Sequence, residues 1–178
     1  MPLGYGGGIR NLEDIGRLFS IGVEKVIINT AVLFDFELVR NAVEIYGSQS
    51  IIVSVNVHRD VWGGYQVYSQ SRIKHLKNDL FSYLSEAQTA GAGEIFLNDV
   101  DRDGMMQGYD TDLIRKVEKI LKVPFVVCGG AGKLSDFKKA VSAGASAVAA
   151  GSIFLYHGPF KAVLIQYPTH HDLRSLFS

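Results

Sequence analysis

The feature that most constrains the fold of this chain is an internal repeat. The segments Gly7–Asp14 and Gly129–Asp136 carry glycines, a leucine and an aspartate at matching places. Each matching pair is 122 residues apart (130 − 8). The pairs are Gly8 and Gly130, Leu12 and Leu134, Asp14 and Asp136, Ser20 and Ser142, Gly22 and Gly144, and Val26 and Val148. A constant offset without a gap indicates a fold built from two similar halves.

Short β-rich runs alternate with amphipathic helical segments along the chain. The predicted strands are Pro2–Tyr5, Lys25–Ile28, Ile51–Val57, Glu94–Asn98, Pro124–Cys128 and Ala147–Ala149. The predicted helices are Leu12–Ser20, Phe36–Tyr46, Leu80–Ala90, Thr111–Leu121 and Leu134–Ala143. This alternation predicts a parallel sheet covered by helices. One insertion, Val61–Ile73, is predicted to form a small hairpin or lid.

The repeated unit also predicts how a ligand is bound. In each copy a strand ends in glycines, which let a ligand approach the backbone, and the next strand ends in a small or polar residue that opens a helix, where N–H groups attract anions. In (βα)8 barrels such loops share one face and often bind phosphate. We therefore predict one phosphate site at Gly129, Gly130, Gly151 and Ser152, and another at Gly7, Gly8, Asn29 and Thr30. In the alternative interpretation these glycines only make tight turns.

The fold class that follows is α/β, a (βα)8 TIM barrel, here a partial barrel of about six βα units. If Pro2–Tyr5 is the third strand of the barrel, the strand at Ile51 is the fifth. Its counterpart would lie about 71 residues before position 1, and a complete barrel has about 250 residues. We therefore expect strands 3 to 8, in one domain over residues 1–178, without the first two βα units.

Composition narrows the classes of partner. The chain has 18 Lys plus Arg and 18 Asp plus Glu, so a nucleic acid or an acidic membrane has little electrostatic support as a partner. The sequence contains no apolar run long enough for a transmembrane helix and no signal peptide pattern. The single cysteine, Cys128, cannot form an internal disulfide, which favours a reducing compartment. We expect a cytoplasmic protein that holds a phosphorylated small molecule through backbone N–H groups.

Several short motifs together carry a family resemblance. They are Gly6–Arg10, Ile28–Thr30, Tyr46–Gln49, Gly91–Ile95, Asp101–Gly104, Gly108–Asp110 and Gly129–Gly132. In this order they resemble the cyclase subunit of imidazole glycerol phosphate synthase. The sister isomerase of the same pathway shares the first motif, but more usually has Gly-Thr or Gly-Ser in place of Asn29–Thr30. The stretch Ala149–Pro168 is similar to a narrower branch, the cyclase paralogues of bacterial surface-polysaccharide clusters.

The resemblance implies roles for individual residues. It implies a glutaminase subunit at the amino-terminal face, where ammonia enters, and two catalytic aspartates at the ends of strands 1 and 5. Asn56 stands at the second of these positions, and an amide can orient a ligand but cannot accept a proton at neutral pH. Asp103 and Gly104 match the ligand-contacting loop, although Asp103 also fits a turn or helix cap. Lys25 and Glu94 match a charged ring at the ammonia entrance, and the alternative is an ordinary surface ion pair.

Three functions remain open at this point. The first is an ammonia-channelling barrel subunit that works with a glutaminase, in the amidation of a surface sugar. The second is the lyase of histidine biosynthesis, against which Asn56 counts because no carboxylate stands there. The third is a non-catalytic barrel scaffold that activates the glutaminase.

The remaining chemistry-bearing residues predict no cofactor and no metal. The five histidines, at positions 58, 75, 157, 170 and 171, show no metal-ligand spacing. We expect His170 and His171 to begin a surface helix. Asp99 and Asp101 with Asp103 could form a metal cluster, which the resembling family does not use. Cys128 is expected to be a small buried residue, and the aromatic residues of Tyr65–Tyr68 to pack within their hairpin or to cover the ligand.

Overall fold

The computed structural model describes residues 3–69, 79–158, 160 and 162–177. In chain order the elements are β1 (Gly4–Gly6), α1 (Leu12–Ser20), β2 (Lys25–Ile28), α2 (Glu37–Tyr46), β3 (Ile51–Arg59), β4 (Tyr65–Val67), α3 (Leu80–Thr89), β5 (Glu94–Asp99), α4 (Thr111–Glu118), β6 (Phe125–Cys128), α5 (Leu134–Ser142), β7 (Ala147–Val148), α6 (Ser152–Leu155), β8 (Tyr156–His157), β9 (Ala162–Val163) and α7 (His170–Phe177). Strands and helices therefore alternate from β1 to α6, apart from the insertion that follows β3.

Six parallel strands form one sheet in the order β1-β2-β3-β5-β6-β7. With its covering helices this sheet is a half-barrel, which confirms the predicted partial (βα)8 architecture. The insertion adds β4, which pairs antiparallel with the end of β3, from Val57↔Val67 to Arg59↔Tyr65. Because the six strands are parallel, their carboxyl ends all lie at one edge, and the loops that follow them share one face.

The alternation of side chains on each strand separates the core from the concave face. On β3, Val53, Val55 and Val57 are at most 1% exposed and belong to the hydrophobic core beneath the helices. The alternate residues Ser54, Asn56 and His58 point to the concave side, where Asn56 and His58 line a cavity. The sheet thus offers polar groups to a ligand on the face opposite its main core.

The helix α3 shows how local sequence fixes one wall of the site. Asp79 caps the helix by accepting a hydrogen bond from the Ser82 N–H at 3.0 Å. The buried residues of α3 recur at helical spacing, and they are Leu80, Tyr83, Leu84 and Ala87. The Tyr83 hydroxyl donates to the Val32 carbonyl at 3.3 Å and holds the turn Thr30–Val32. Packing of α3 therefore positions Thr30 at the edge of the cavity.

The internal repeat extends to individual hydrogen bonds. Arg10 N–H donates to Asp14 Oδ2 at 2.9 Å, and the equivalent Gly132 N–H donates to Asp136 Oδ2 at 3.1 Å. Four backbone N–H to carbonyl hydrogen bonds of the first half recur 122 residues later in the second half. Those of the first half are Gly22 to Phe19, Val23 to Leu18, Glu24 to Leu3 and Val32 to Asn29. Their counterparts, in the same order, are Gly144 to Val141, Ala145 to Ala140, Ser146 to Phe125 and Phe154 to Gly151. The two halves therefore share loop conformation as well as sequence, as the repeat predicted.

The boundaries differ from prediction at a few places. β1 begins at Gly4 and runs to Gly6, and Pro2 of the predicted strand lies outside the described residues. The helix α4 ends at Glu118 because the chain then tightens, with Ile120 and Leu121 N–H groups both donating to the Val117 carbonyl. The sequence did not predict the β8–β9 hairpin. Residues 70–73 of the insertion and His75 lie outside the described part of the chain.

Candidate ligand site at the carboxyl ends of the strands

A polar cavity of about 930 Å³ opens where β2, β3 and β5 end. Its lining comes from the strand ends, from the residues just after β4 and from the loop after β5: Asn29, Thr30, Asn56, His58, Tyr68, Ser69, Asn98, Val100, Asp101 and Asp103. Asn29, Thr30, Asn56 and Asp103, predicted from distant parts of the sequence, are thereby brought together. Cavities of this volume accommodate small organic ligands.

Three asparagines form a row across adjacent strand ends. Asn56 lies directly opposite Asn98 in the β3–β5 register, and Asn98 Nδ2 donates to Asn56 Oδ1 at 3.2 Å. On the other side of β3, Asn29 Nδ2 donates to Ser54 Oγ at 3.2 Å. Asn98 Oδ1 is buried without a hydrogen-bond partner among the described residues. The row can orient a ligand through amide donors and acceptors, but it offers no proton acceptor at neutral pH.

Asp103 and Gly104 lie in the loop that joins β5 to α4. A backbone turn supports this loop, in which the Asp103 N–H donates to the Asp99 carbonyl at 3.0 Å. Gly104 has φ +75°, a conformation that L side chains rarely adopt. Asp103 thus occupies a turn and lines the cavity at once, so the two interpretations of its role are compatible.

The first glycine loop leaves open space for a ligand. Gly7 and Gly8 have φ values of +114° and +72°, and a Cβ at either would meet no described atom within 4 Å. Together with Asn29 and Thr30 they line a second cavity of about 490 Å³. Here glycine is required by the backbone conformation, and the space beside it stays free.

The second glycine loop is different, because its glycines pack against another loop. A Cβ on Gly129 would lie 2.3 Å from the Asp99 carbonyl oxygen, and one on Gly130 would lie 2.3 Å from that of Gly108. The Gly108 N–H donates to the Gly130 carbonyl at 2.7 Å. These glycines are thus needed for a close approach of backbones between two loops.

The loop after β7 contains the other two residues of the second predicted phosphate site, Gly151 and Ser152. A Cβ on the exposed Gly151 would meet no described atom within 4 Å, and Ser152 begins the short helix α6. The Tyr109 hydroxyl donates to the Ala149 carbonyl at 2.9 Å, which ties the end of the neighbouring strand to the loop before α4. The open space of this predicted phosphate site therefore lies at Gly151.

Lys25 and Glu94 meet at the opposite end of the sheet. They are the first residues of β2 and β5, and the Lys25 ammonium donates to Glu94 Oε2 across the start of β3. The Glu94 side chain is 17% exposed. The Lys25 side chain is 45% exposed, so the pair lies on the concave face with its carboxylate mostly covered and its ammonium partly open to solvent.

Some residues of the site were not predicted, and others have a different environment from the expected one. His58, for which sequence analysis predicted no role, lines the cavity and forms a hydrogen bond with Asp101, with 2.7 Å between Nδ1 and Oδ1. Cys128 is half-buried rather than fully buried, and burial raises the pKa of its thiol. Tyr65 packs in its hairpin and donates to Asp110, whereas Tyr68 lines the cavity.

Asp99 is buried, and its Oδ1 accepts a hydrogen bond from the Asp101 N–H at 3.1 Å. Burial raises the pKa of this carboxyl, and Arg102 Nε lies 3.6 Å from its Oδ2. Among the described residues, no group of three or more histidine, cysteine, aspartate or glutamate side chains is arranged to hold a metal ion.

Comparison with known proteins finds one matching family and relatives whose names agree with one another. The family described as histidine biosynthesis protein matches residues 1–161. A Pseudomonas aeruginosa protein with the provisional name imidazole glycerol phosphate synthase subunit hisF2 is 44% identical over 177 residues, which covers 97% of this chain and 69% of that protein. A Leptospira interrogans protein with the provisional name imidazole glycerol phosphate synthase subunit HisF is 40% identical over 179 residues, covering 99% and 70%. The imidazole glycerol phosphate synthase subunit HisF of Bifidobacterium adolescentis is 41% identical over 161 residues, covering 88% and 63%.

Within the described residues, every helix is too short or too polar to cross a membrane.

Proposed function

This chain belongs to the imidazole glycerol phosphate synthase HisF family of cyclase subunits, and on that premise we propose that it is a barrel subunit that accepts ammonia from a glutaminase partner. The partner docks at the amino-terminal end of the strands, where Lys25 and Glu94 lie. A phosphorylated ligand binds at the carboxyl end and meets the ammonia there.

One observation carries the proposal: the concave face is polar at both of its ends. Lys25 and Glu94 lie at the start of β2 and β5, and Asn29 and Asn98 lie at the carboxyl ends of the same two strands. Ser54 stands between these ends on β3 and accepts from Asn29. Polar groups at the two ends of this face provide hydrogen bonds to a small polar molecule as it leaves water.

The amide at Asn56 favours a substrate other than that of the histidine pathway. Proton transfer by a positioned carboxylate contributes about 10²- to 10⁴-fold to rates, and an asparagine at this place forgoes that contribution. We therefore propose amidation of a surface sugar as the reaction that the complex serves. The histidine-pathway lyase is the second candidate, which the relatives named HisF favour.

Substitution of Lys25 tests the ammonia route. With purified glutaminase subunit, Lys25→Met should lower product formation from glutamine and leave product formation from added ammonium chloride unchanged. Lys138→Met, on the exposed face of α5, is the matched control and should change neither rate. Substrates to assay are the bisphosphate of the histidine-pathway cyclase and a panel of phosphorylated keto-sugars.

The outcomes separate the candidates. Product from the keto-sugars alone supports sugar amidation, and fast wild-type turnover of the bisphosphate supports the histidine-pathway lyase. Binding of the glutaminase without any product supports a scaffold that activates its partner. Failure to bind the glutaminase in size-exclusion chromatography, together with no product from either nitrogen source, would contradict all three.

A further inference from the structure

The cavity contains an oriented histidine that the functions above do not use. On β3 the concave positions are Ser54, Asn56 and His58, so His58 is the next inward residue beyond the amide at Asn56. Two residues along a strand span about 7 Å. The imidazole of His58 therefore reaches the same ligand space as the Asn56 amide.

Asp101 fixes the orientation of this imidazole. One carboxylate oxygen lies 2.7 Å from His58 Nδ1, and the other accepts the Arg59 N–H at 2.7 Å. Burial acts to raise the pKa of Asp101, but the hydrogen bonds from Arg59 and His58 outweigh it and the pKa is lowered. An ionised carboxylate only accepts, so Nδ1 carries the proton and Nε2 is left as the basic nitrogen.

The other titratable groups near His58 are Asp103, Tyr68 and Asp60. Asp103 lines the same cavity from the loop after β5, and Tyr68, just after β4, has its ring centroid 6.2 Å from that of the histidine. Asp60 lies two residues beyond His58, and its Oδ1 accepts the backbone N–H groups of both Trp62 and Gly64. Imidazole is the side chain that enzymes use most often for proton transfer, and His58 supplies one among the described residues that line the cavity.

We propose that His58, oriented by Asp101, is the proton-transfer group of this cavity. The inference rests on the proposed reaction with ammonia. When ammonia adds to a carbonyl carbon of the bound ligand, its lone pair forms the C–N bond and the carbonyl π pair moves to oxygen. Nε2 removes one proton from the new ammonium nitrogen, and the imidazolium returns that proton to the alkoxide, which gives a neutral carbinolamine. Asp101 acts only as a positioning residue.

The tautomer of His58 is the first test, and it requires no turnover. In nitrogen-15 NMR of the full chain, His58 should carry its proton on Nδ1, and Asp101→Asn should reduce that preference. Ribose 5-phosphate, used as the probe ligand, should shift the Nε2 resonance of His58 but not that of His170, on the surface helix α7. A proton on Nε2, or a His58 signal unaffected when the backbone signals show saturation, would overturn the proposal.

Turnover is the second test. With ammonium chloride as the nitrogen source, His58→Gln should lower kcat by about 100-fold or more, with little change in KM and with loss of the acidic limb of the pH–rate profile. Asp101→Asn should lower kcat less and shift that limb, and the control His170→Gln should match wild type. An unchanged kcat in a folded His58→Gln protein would refute the role of His58. A wild-type protein without turnover would instead refute the proposed function, and the NMR result would then decide on His58.

Discussion

Substituting the same glycine in the two halves of the repeat should have unequal costs. Gly8 and Gly130 occupy equivalent positions and both have positive φ, at +72° and +106°. A Cβ at Gly8 would enter open space among the described residues, whereas a Cβ at Gly130 would lie 2.3 Å from the Gly108 carbonyl oxygen. Gly8→Ala and Gly130→Ala are therefore a matched pair that differs mainly in the steric contact.

The magnitude follows from two separate effects. An L side chain in the left-handed region costs about 1–2 kcal/mol, and both variants carry that cost. Forcing extra volume into a packed place costs about 1–3 kcal/mol more, and only Gly130→Ala carries it. We expect the free energy of unfolding to fall by about 1–2 kcal/mol for Gly8→Ala and by about 2–5 kcal/mol for Gly130→Ala.

Urea denaturation followed by far-ultraviolet circular dichroism measures both losses. Each kcal/mol should also lower Tm by about 2–4 °C in a chain of this size. Equal losses in the two variants would refute the reasoning, since they would mean that the loop after β6 moves away from the Gly108 backbone at no cost.

Four further results are expected. Asp79→Ala removes the cap of α3 and should lower the free energy of unfolding by about 0.5–2 kcal/mol, measured by the same denaturation. Burial raises the pKa of Asp99, so its ionisation destabilises the fold as pH rises above 3.8. The Tm of the wild type should therefore fall between acid and neutral pH for this reason, and Asp99→Asn should remove that part of the fall. The pKa of Asp101 is lowered, so its contribution is present above 3.8 and disappears as pH falls, and Asp101→Asn should lower Tm at neutral pH more than in acid. Inorganic phosphate should shift the backbone amide signals of Gly8 and Ser152 in NMR, and shifts confined to other regions would contradict the two predicted phosphate sites.

The sequence predicted the parallel half-barrel because its signals are local and repeated. Apolar strands such as Ile51–Val57, helical spacing in α3 and the constant offset between Gly8 and Gly130 all depend on short segments. The repeat also predicted that distant loops share one face, and Asn29, Asn56 and Asp103 do meet there.

The parts that were missed depend on contacts between segments far apart in the chain. Asn98 joins the amide row because the β3–β5 register places it opposite Asn56, 42 residues away, and sequence pattern does not give strand register. The pairing of His58 with Asp101 was missed for the same reason, because the two residues are 43 positions apart in the chain. Counting alternate positions outward from Asn56 would have placed His58 on the concave face, although not its partner.

The hydrogen bonds shared by the two halves have an evolutionary and an engineering consequence. Arg10 and Gly132 make the same backbone bond to Asp14 and Asp136, yet a Cβ at position 132 would lie 2.1 Å from the Met106 carbonyl oxygen. The glycine-rich loop of the second half can therefore be grafted into the first half, where its backbone conformation is already accepted. The reverse graft would place an arginine where the Met106 backbone lies. The two loops are therefore interchangeable in one direction only, because the second loop cannot accept the arginine of the first unless the loop that contains Met106 changes with it.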